Sequence, residues 1–339
     1  MKQLFLDALA CRNQQRPPIW LMRQAGRYMP EYRAIRKKHS FIEMCEQPEL
    51  AAEITLQPIR AFGMDAAILF SDILVIPKAL GVGLHFEEGK GPIIERPLHR
   101  GADVEALPKP NISEKLHYVA KAIRYVLPEL EVPLIGFCGG PFTVASYMIE
   151  GGSSRDFKKT KQWMFRDPDT FHQLLTRITD CTIDYLNLQI DAGVQALQIF
   201  ETWANVLGHP YFRKFSLEYM RRIVHGLKDA NIPVIIFCKG SSAFAKDIVE
   251  IAPKGISLDW NVDLTKVRSL IPTNVALQGN LDPDVLYASS EVIQREVESL
   301  LRGMNSDPGY IFNLGHGMKP DIPVDAVKVL VETVKNFKK

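Results

Sequence analysis

Apolar residues recur along this chain in short unbroken runs: Ile19 to Met22, Ala66 to Phe70, Leu134 to Phe137, Ala196 to Phe200, Val234 to Phe237, Ile256 to Leu258, Val275 to Leu277 and Tyr310 to Phe312. Each is bounded by turn residues and carries no strict alternation, so both faces are set to be buried, as in parallel strands. Between the runs the spacing changes. Leu174, Ile178, Cys181, Tyr185 and Leu188 fall four and three residues apart, which gives one apolar stripe and predicts a core-facing helix over 167–191. Similar spacing, with proline or an acid at several openings, predicts helices over 48–62, 114–127, 211–228, 283–301 and 324–336. Leu84 to Ile94 differs, being two apolar pieces around a Gly-containing polar turn, and predicts a β-hairpin excursion around 84–97.

Strand-helix alternation throughout is the pattern of a parallel α/β fold. Eight strand candidates, with no internal repeat and no Ser/Gly linker in 339 residues, predict a single domain, 1–339, built as a (β/α)8 TIM-type barrel. In such barrels the chemistry sits where strands end at the C-terminal rim. The residues just past the runs are Arg23-Gln24, Ser71-Asp72, Cys138-Gly139-Gly140, Glu201-Thr202, Lys239-Gly240, Asp259-Trp260, Gly279-Asn280 and Gly315-His316-Gly317. All are polar or conformationally special.

The first of these is the most informative. Arg23 and Arg27 flank Gly26 directly after a run that should be buried. An unpaired charge there is costly unless something acidic meets it. Two permanently charged, planar donor forks suit a ligand with several carboxylates or phosphates. Arg33, Arg36, Lys37 and Lys38 follow, opposed only by Glu31, and the two lysines read as the wet face of a helix. Net charge is only +2, so no global field points to nucleic acid or to an anionic membrane. The positive charge is a local property of a site.

Asp72 is a lone carboxylate between Ala67-Ile68-Leu69-Phe70 and Ile73-Leu74-Val75-Ile76. It either caps a helix start or pairs with an arginine, or it stabilises a cation that forms in a substrate. His316, between two glycines, allows the backbone to approach a ligand closely. Tyr147, about one turn into a helix expected from Pro141, is equally a core tyrosine or a ligand contact.

No His-Glu-x-x-His, no His-x-Cys with a later cysteine, no phosphate loop and no Gly-x-Gly-x-x-Gly turn occurs, so neither a metal nor a cofactor is expected. The first residues lack the apolar core of a secretory leader, no run approaches membrane-spanning length, and five scattered cysteines contain no Cys-x-x-Cys pair. These features fit a cytoplasmic protein with reduced thiols.

Taken in order, Met22-Arg23-Gln24-Ala25-Gly26-Arg27-Tyr28, Phe70-Ser71-Asp72-Ile73-Leu74, Gly139-Gly140-Pro141-Phe142-Thr143 with Tyr147-Met148-Ile149-Glu150-Gly151-Gly152, Gln278-Gly279-Asn280-Leu281-Asp282-Pro283 and Asn313-Leu314-Gly315-His316-Gly317 closely resemble the uroporphyrinogen decarboxylase family nearly end to end. The resemblance implies a distorted (β/α)8 barrel, usually a homodimer. It also implies an enzyme without cofactor that converts uroporphyrinogen III to coproporphyrinogen III by removing carbon dioxide from four acetate side chains. Such a tetrapyrrole is a polyanion, which accounts for the arginines. By the resemblance Asp72 and Arg27 are the catalytic residues, with Asp72 stabilising a protonated pyrrole. Arg23, Gln24, Ala25, Gly26, Arg27, Arg36, Asp72, Tyr147, Thr202 and His316 bind substrate. A guanidinium is a poor acid, so the proton donor stays open. Thr202 stands where serine also occurs in the family, and Cys238 stands where proline is expected.

Two rivals are a zinc-dependent methyltransferase on a related barrel, which would need the His-x-Cys and distant cysteine that this chain lacks, and a tetrapyrrole carrier, which would have no need of a carboxylate at Asp72.

Overall fold

The computed structural model describes residues 3–87 and 89–338, with backbone only at 241 and 242; Glu88, in the expected hairpin turn, lies outside the described residues. The strands among them are β1 (Ala67–Ile68), β2 (Leu84–Glu87), β3 (Gly91–Ile94), β4 (Leu134–Gly139), β5 (Ala196–Phe200), β6 (Val234–Phe237), β7 (Gly255–Ser257), β8 (Ala276–Leu281) and β9 (Tyr310–Leu314). Seven form one all-parallel sheet in the order β1-β4-β5-β6-β7-β8-β9. The antiparallel pair β2-β3 stands apart and is tied by an Ile93 to Gly152 bridge to the end of the helix Pro141–Glu150.

The run 19–22 is not the regular strand its composition predicts. Only Ile19 bridges β9, opposite Phe312. Side chains take the places that a neighbouring strand would fill: Asp65 Oδ2 accepts from Ile19 N at 2.8 Å, Gln24 Oε1 from Leu21 N at 3.1 Å and Asn313 Oδ1 from Met22 N at 3.0 Å. The backbone completes the seam, with Phe312 N donating to Pro18 O and Asp65 N to Ile19 O. This segment therefore closes the gap between β9 and β1 as an irregular eighth stave, and the fold is a distorted (β/α)8 barrel. Pro17 and Pro18, which have no N–H to donate, favour side-chain pairing here.

Strand side chains alternate between two cores. Trp20, Met22, Ala66, Ile135, Phe137, Ala196, Phe200, Ile235, Phe237, Ala276 and Ile311 fill the barrel, whose lower end is plugged by Phe5, Ala8 and Leu9 of the helix Leu4–Leu9. Leu134, Leu197, Ile199, Val234, Ile236, Cys238, Ile256, Leu277 and Phe312 face the surrounding helices. The interior is not wholly apolar, because Trp20 Nε1 donates to Gln278 Oε1 at 2.8 Å and Gln278 Nε2 to Gln198 Oε1 at 3.3 Å. These residues are fully buried.

Among the helices, Pro48–Phe62 and Val324–Asn336 keep the predicted bounds. The long one runs Pro168–Ala192, capped by the Asp167 side chain on Thr170 N and ended by Gly193 at φ 110°. Three others are broken where the sequence predicted continuity. The 114–127 segment divides into Ile112–Lys115 and His117–Val126, the 211–228 segment contains a π turn over Arg213–Leu217, and Pro283–Tyr287 is a 3-10 turn before a fresh start at Ser290–Gly303. β8 runs four residues beyond the predicted end at Leu277, because its ladder with β9 continues to the Leu281–Leu314 pair.

Candidate active site

The turn after the irregular stave is built to present Arg23. Gln24 N donates to Leu21 O, Gln24 Nε2 to Ala66 O, the Tyr28 hydroxyl to Gln24 O at 2.6 Å and Met318 N to Met22 O at 3.0 Å. These bonds hold Arg23 at φ 64°. That conformation costs an ordinary side chain about 1–2 kcal/mol, so the surrounding clamp must offset it. Gln24 is fully buried and both ends of its amide are engaged, so its side chain shapes the loop from within and is not available to a substrate. Ala25 and Gly26 are half-buried on the same loop.

Gly317 lies directly under this arginine, and a Cβ at Gly317 would overlap Arg23 Cδ. Gly317→Ala should therefore leave the fold intact, displace the guanidinium and raise KM several-fold with a smaller change in kcat; steady-state kinetics with a thermal melt separates the two effects.

Asp72 follows β1 on the neighbouring stave. Its Oδ1 accepts from Leu74 N at 2.7 Å, just before the short helix Val75–Ala79. Its other oxygen has no protein partner among the described residues. Both readings of Asp72 are thus partly realised in one side chain: one oxygen fixes the loop and the other is free for chemistry. Burial lifts the carboxyl to about 6, while the Leu74 N–H and the nearby Arg23 charge hold it down.

His316 projects from the loop after β9, its ring 5.7 Å from that of the inward-facing Phe237. Gly315 allows the loop this position, since a Cβ there would stand 2.5 Å from Trp260 N. Burial, Arg23 and Lys239 together push the imidazole down to about 4. Near neutral pH it is an uncharged ring.

Tyr147 comes from the helix Pro141–Glu150 and packs against Trp203 with ring centroids 6.4 Å apart. Burial raises its phenol, hydrogen bonds with Trp203 and Ser153 oppose this, and Asp72 and Arg23 lie within electrostatic reach. Thr202 is half-buried in the turn two residues past inward-facing Phe200, where β5 ends. Arg23, Asp72, Tyr147 and His316 thus share one cleft.

Arg27 and Arg36 follow on the same segment. Both are exposed, as Arg23 is, and both act on the Tyr32 hydroxyl, which burial drives up to about 12. The Tyr32 ring meets Phe70, two residues before Asp72, at 5.8 Å. Arg33 braces the region by donating to Arg27 O and Tyr28 O. Neither Arg23 nor Arg27 has a carboxylate partner in the protein among the described residues.

Sequence reasoning passed over Glu201. Fully buried, it accepts from Thr143 N at 2.7 Å and Phe142 N at 3.1 Å, capping the helix that carries Tyr147. Burial raises this carboxyl to about 7 against those hydrogen bonds. The available signal was a glutamate directly after an apolar strand, which the rim list already contained; the structure adds that a Cβ at Gly140 would meet its carboxyl. No three His, Cys, Asp or Glu side chains gather at metal-binding distances among the described residues. The five cysteines are free, four of them buried.

The sequence model for the family Uroporphyrinogen decarboxylase (URO-D) matches residues 1–337. The uroporphyrinogen decarboxylase of Protochlamydia amoebophila is 57% identical over 330 residues, covering 97% of this chain and 90% of that protein. The enzyme of the same name from Ruthia magnifica is 48% identical over 342 residues, covering 99% of each. Among solved structures, a methyltransferase from Methanosarcina mazei superposes with a TM-score of 0.84 at 22% identity, covering 99% of this chain and 98% of its own, a likeness of fold.

Proposed function

The chain belongs to the uroporphyrinogen decarboxylase family, and we propose that it does its chemistry in the cleft between Arg23 and Asp72. It is a carboxy-lyase of tetrapyrrole biosynthesis, removing carbon dioxide from the four acetate side chains of uroporphyrinogen III to give coproporphyrinogen III. The observation that carries the assignment of the site is the half-bonded Asp72 carboxylate, one oxygen fixed by Leu74 N and the other open toward the unpaired Arg23.

The reaction needs an electron sink. When the bond between an acetate carboxyl and its methylene breaks, the electron pair passes toward the pyrrole, which accepts it once protonated; a proton then adds to the methylene to make the methyl group, and the ring proton is released. Asp72 accepts hydrogen bonds from pyrrole N–H groups and favours the cation over the neutral ring, which is stabilisation confined to the transition state and intermediate. Arg23 holds peripheral carboxylates, with Arg27 and Arg36 extending the cationic edge outward. Tyr147, Thr202 and neutral His316 supply uncharged hydrogen-bonding groups on the remaining walls. No cofactor is required by this scheme. The same reading takes the protein to be a cytoplasmic homodimer, supported by the family likeness.

The test is anaerobic incubation with reduced uroporphyrinogen, oxidation, and separation of products by carboxyl number, with and without a strong chelator. Tetracarboxylic product in both arms is the expected result; activity lost to the chelator and restored by zinc would replace this reading with the methyltransferase one.

The titration of Asp72 gives a pH prediction. Its ionised form is the active one and its folded value is about 6, so kcat/KM should fall as pH drops through that region. The acid limb should vanish in Asp72→Asn; a limb that persists unchanged there belongs to another group.

A further inference from the structure

The barrel order places Lys239 across the mouth from Arg23. Counting the stave at residue 19 as first, β6 is fifth of eight, so the two cations leave diametrically opposed staves. β6 ends at Phe237, an inner-core residue, and Lys239 stands in the turn two residues further on. The Phe237 ring meets His316.

Its backbone is fixed. Gly240, at φ 65°, donates its N–H to Oδ2 of the fully buried Asp259 at the end of β7. Lys239 is half-buried and has no carboxylate partner among the described residues. Its charge and that of Arg23 reach the same imidazole, His316, from different walls. An amine held at a barrel mouth without a counter-ion lacks its partner in the protein itself.

We infer that Lys239 is a further substrate-binding residue, which takes a carboxylate of the tetrapyrrole on the edge opposite the one held by Arg23. The inference rests on the decarboxylase reading of this cleft and deepens it. A macrocycle with acidic groups around its whole perimeter needs cations on more than one side, and the arginine-rich segment lies on one side only. Holding both edges fixes which acetate is presented to Asp72, and binding energy distant from the reacting bond then improves its alignment.

The test compares Lys239→Met and Lys239→Arg with wild type in initial-rate kinetics, with binding of oxidised octacarboxylic uroporphyrin by fluorescence quenching as a second readout. Lys239→Met should raise KM by about tenfold, with a smaller fall in kcat and weaker porphyrin binding, and Lys239→Arg should recover most of it. Wild-type KM and wild-type porphyrin affinity in a folded Lys239→Met protein would overturn the inference. Failure of wild type to decarboxylate would overturn the enzyme reading instead, and the porphyrin-binding comparison would still decide the part played by Lys239.

Discussion

Asp72→Asn should lower kcat by roughly a hundredfold or more, the usual scale for losing one preorganised electrostatic group, while the protein is expected to fold normally. The amide oxygen can still accept from Leu74 N, as Asp72 Oδ1 does at 2.7 Å, so the loop before Val75–Ala79 is retained. What disappears is the negative charge that the proposed mechanism sets against the pyrrole cation. Asp72→Glu keeps the charge and moves it by a methylene, so partial turnover with release of incompletely decarboxylated products is expected. Single-turnover analysis of products by carboxyl number, beside circular dichroism, measures both. A folded asparagine variant with near-normal turnover would reduce Asp72 to a loop-fixing residue.

The second large effect is expected at Arg23. Arg23→Ala removes the guanidinium fork proposed to hold a substrate carboxylate, while the backbone at φ 64° stays as strained as before, because alanine also carries a Cβ. We expect kcat/KM to fall by about two to three orders of magnitude. The pH profile should move as well. Arg23 holds the Asp72 carboxyl down; without it that carboxyl titrates higher, and the acid limb shifts toward neutrality. Lysine at this position should restore the limb better than it restores KM, because a point charge reproduces the field but not the fork. An unshifted acid limb in a folded Arg23→Ala enzyme would show that the two groups are not coupled.

The alternation of apolar runs and helical stripes made the barrel legible, and the rim rule found most of the cleft, since Arg23, Asp72 and His316 all lie at strand ends. Three things were hidden for identifiable reasons. Ile19 to Met22 has a strand's composition, but its N–H groups are satisfied by Asp65, Gln24 and Asn313, and side-chain partners up to 291 residues away leave no local signature. Gln24 reads as a polar loop residue and is in fact a buried clamp, because a residue's exposure is settled by what folds over it. Helix breaks at 116 and 288 fall in segments whose propensity would have allowed continuity.

The irregular stave has a consequence for how the protein comes into being on the ribosome. Trp20 is synthesised early but finds its indole partner only when Gln278 has emerged, and the Met22 amide waits for Asn313. Until then the turn bearing Arg23 lacks one of the four bonds that hold it, from Met318 N to Met22 O, and Gly317, on which that arginine rests, does not yet exist. The turn that presents Arg23 is therefore complete only after residue 318 has emerged and packed against residues 20–23.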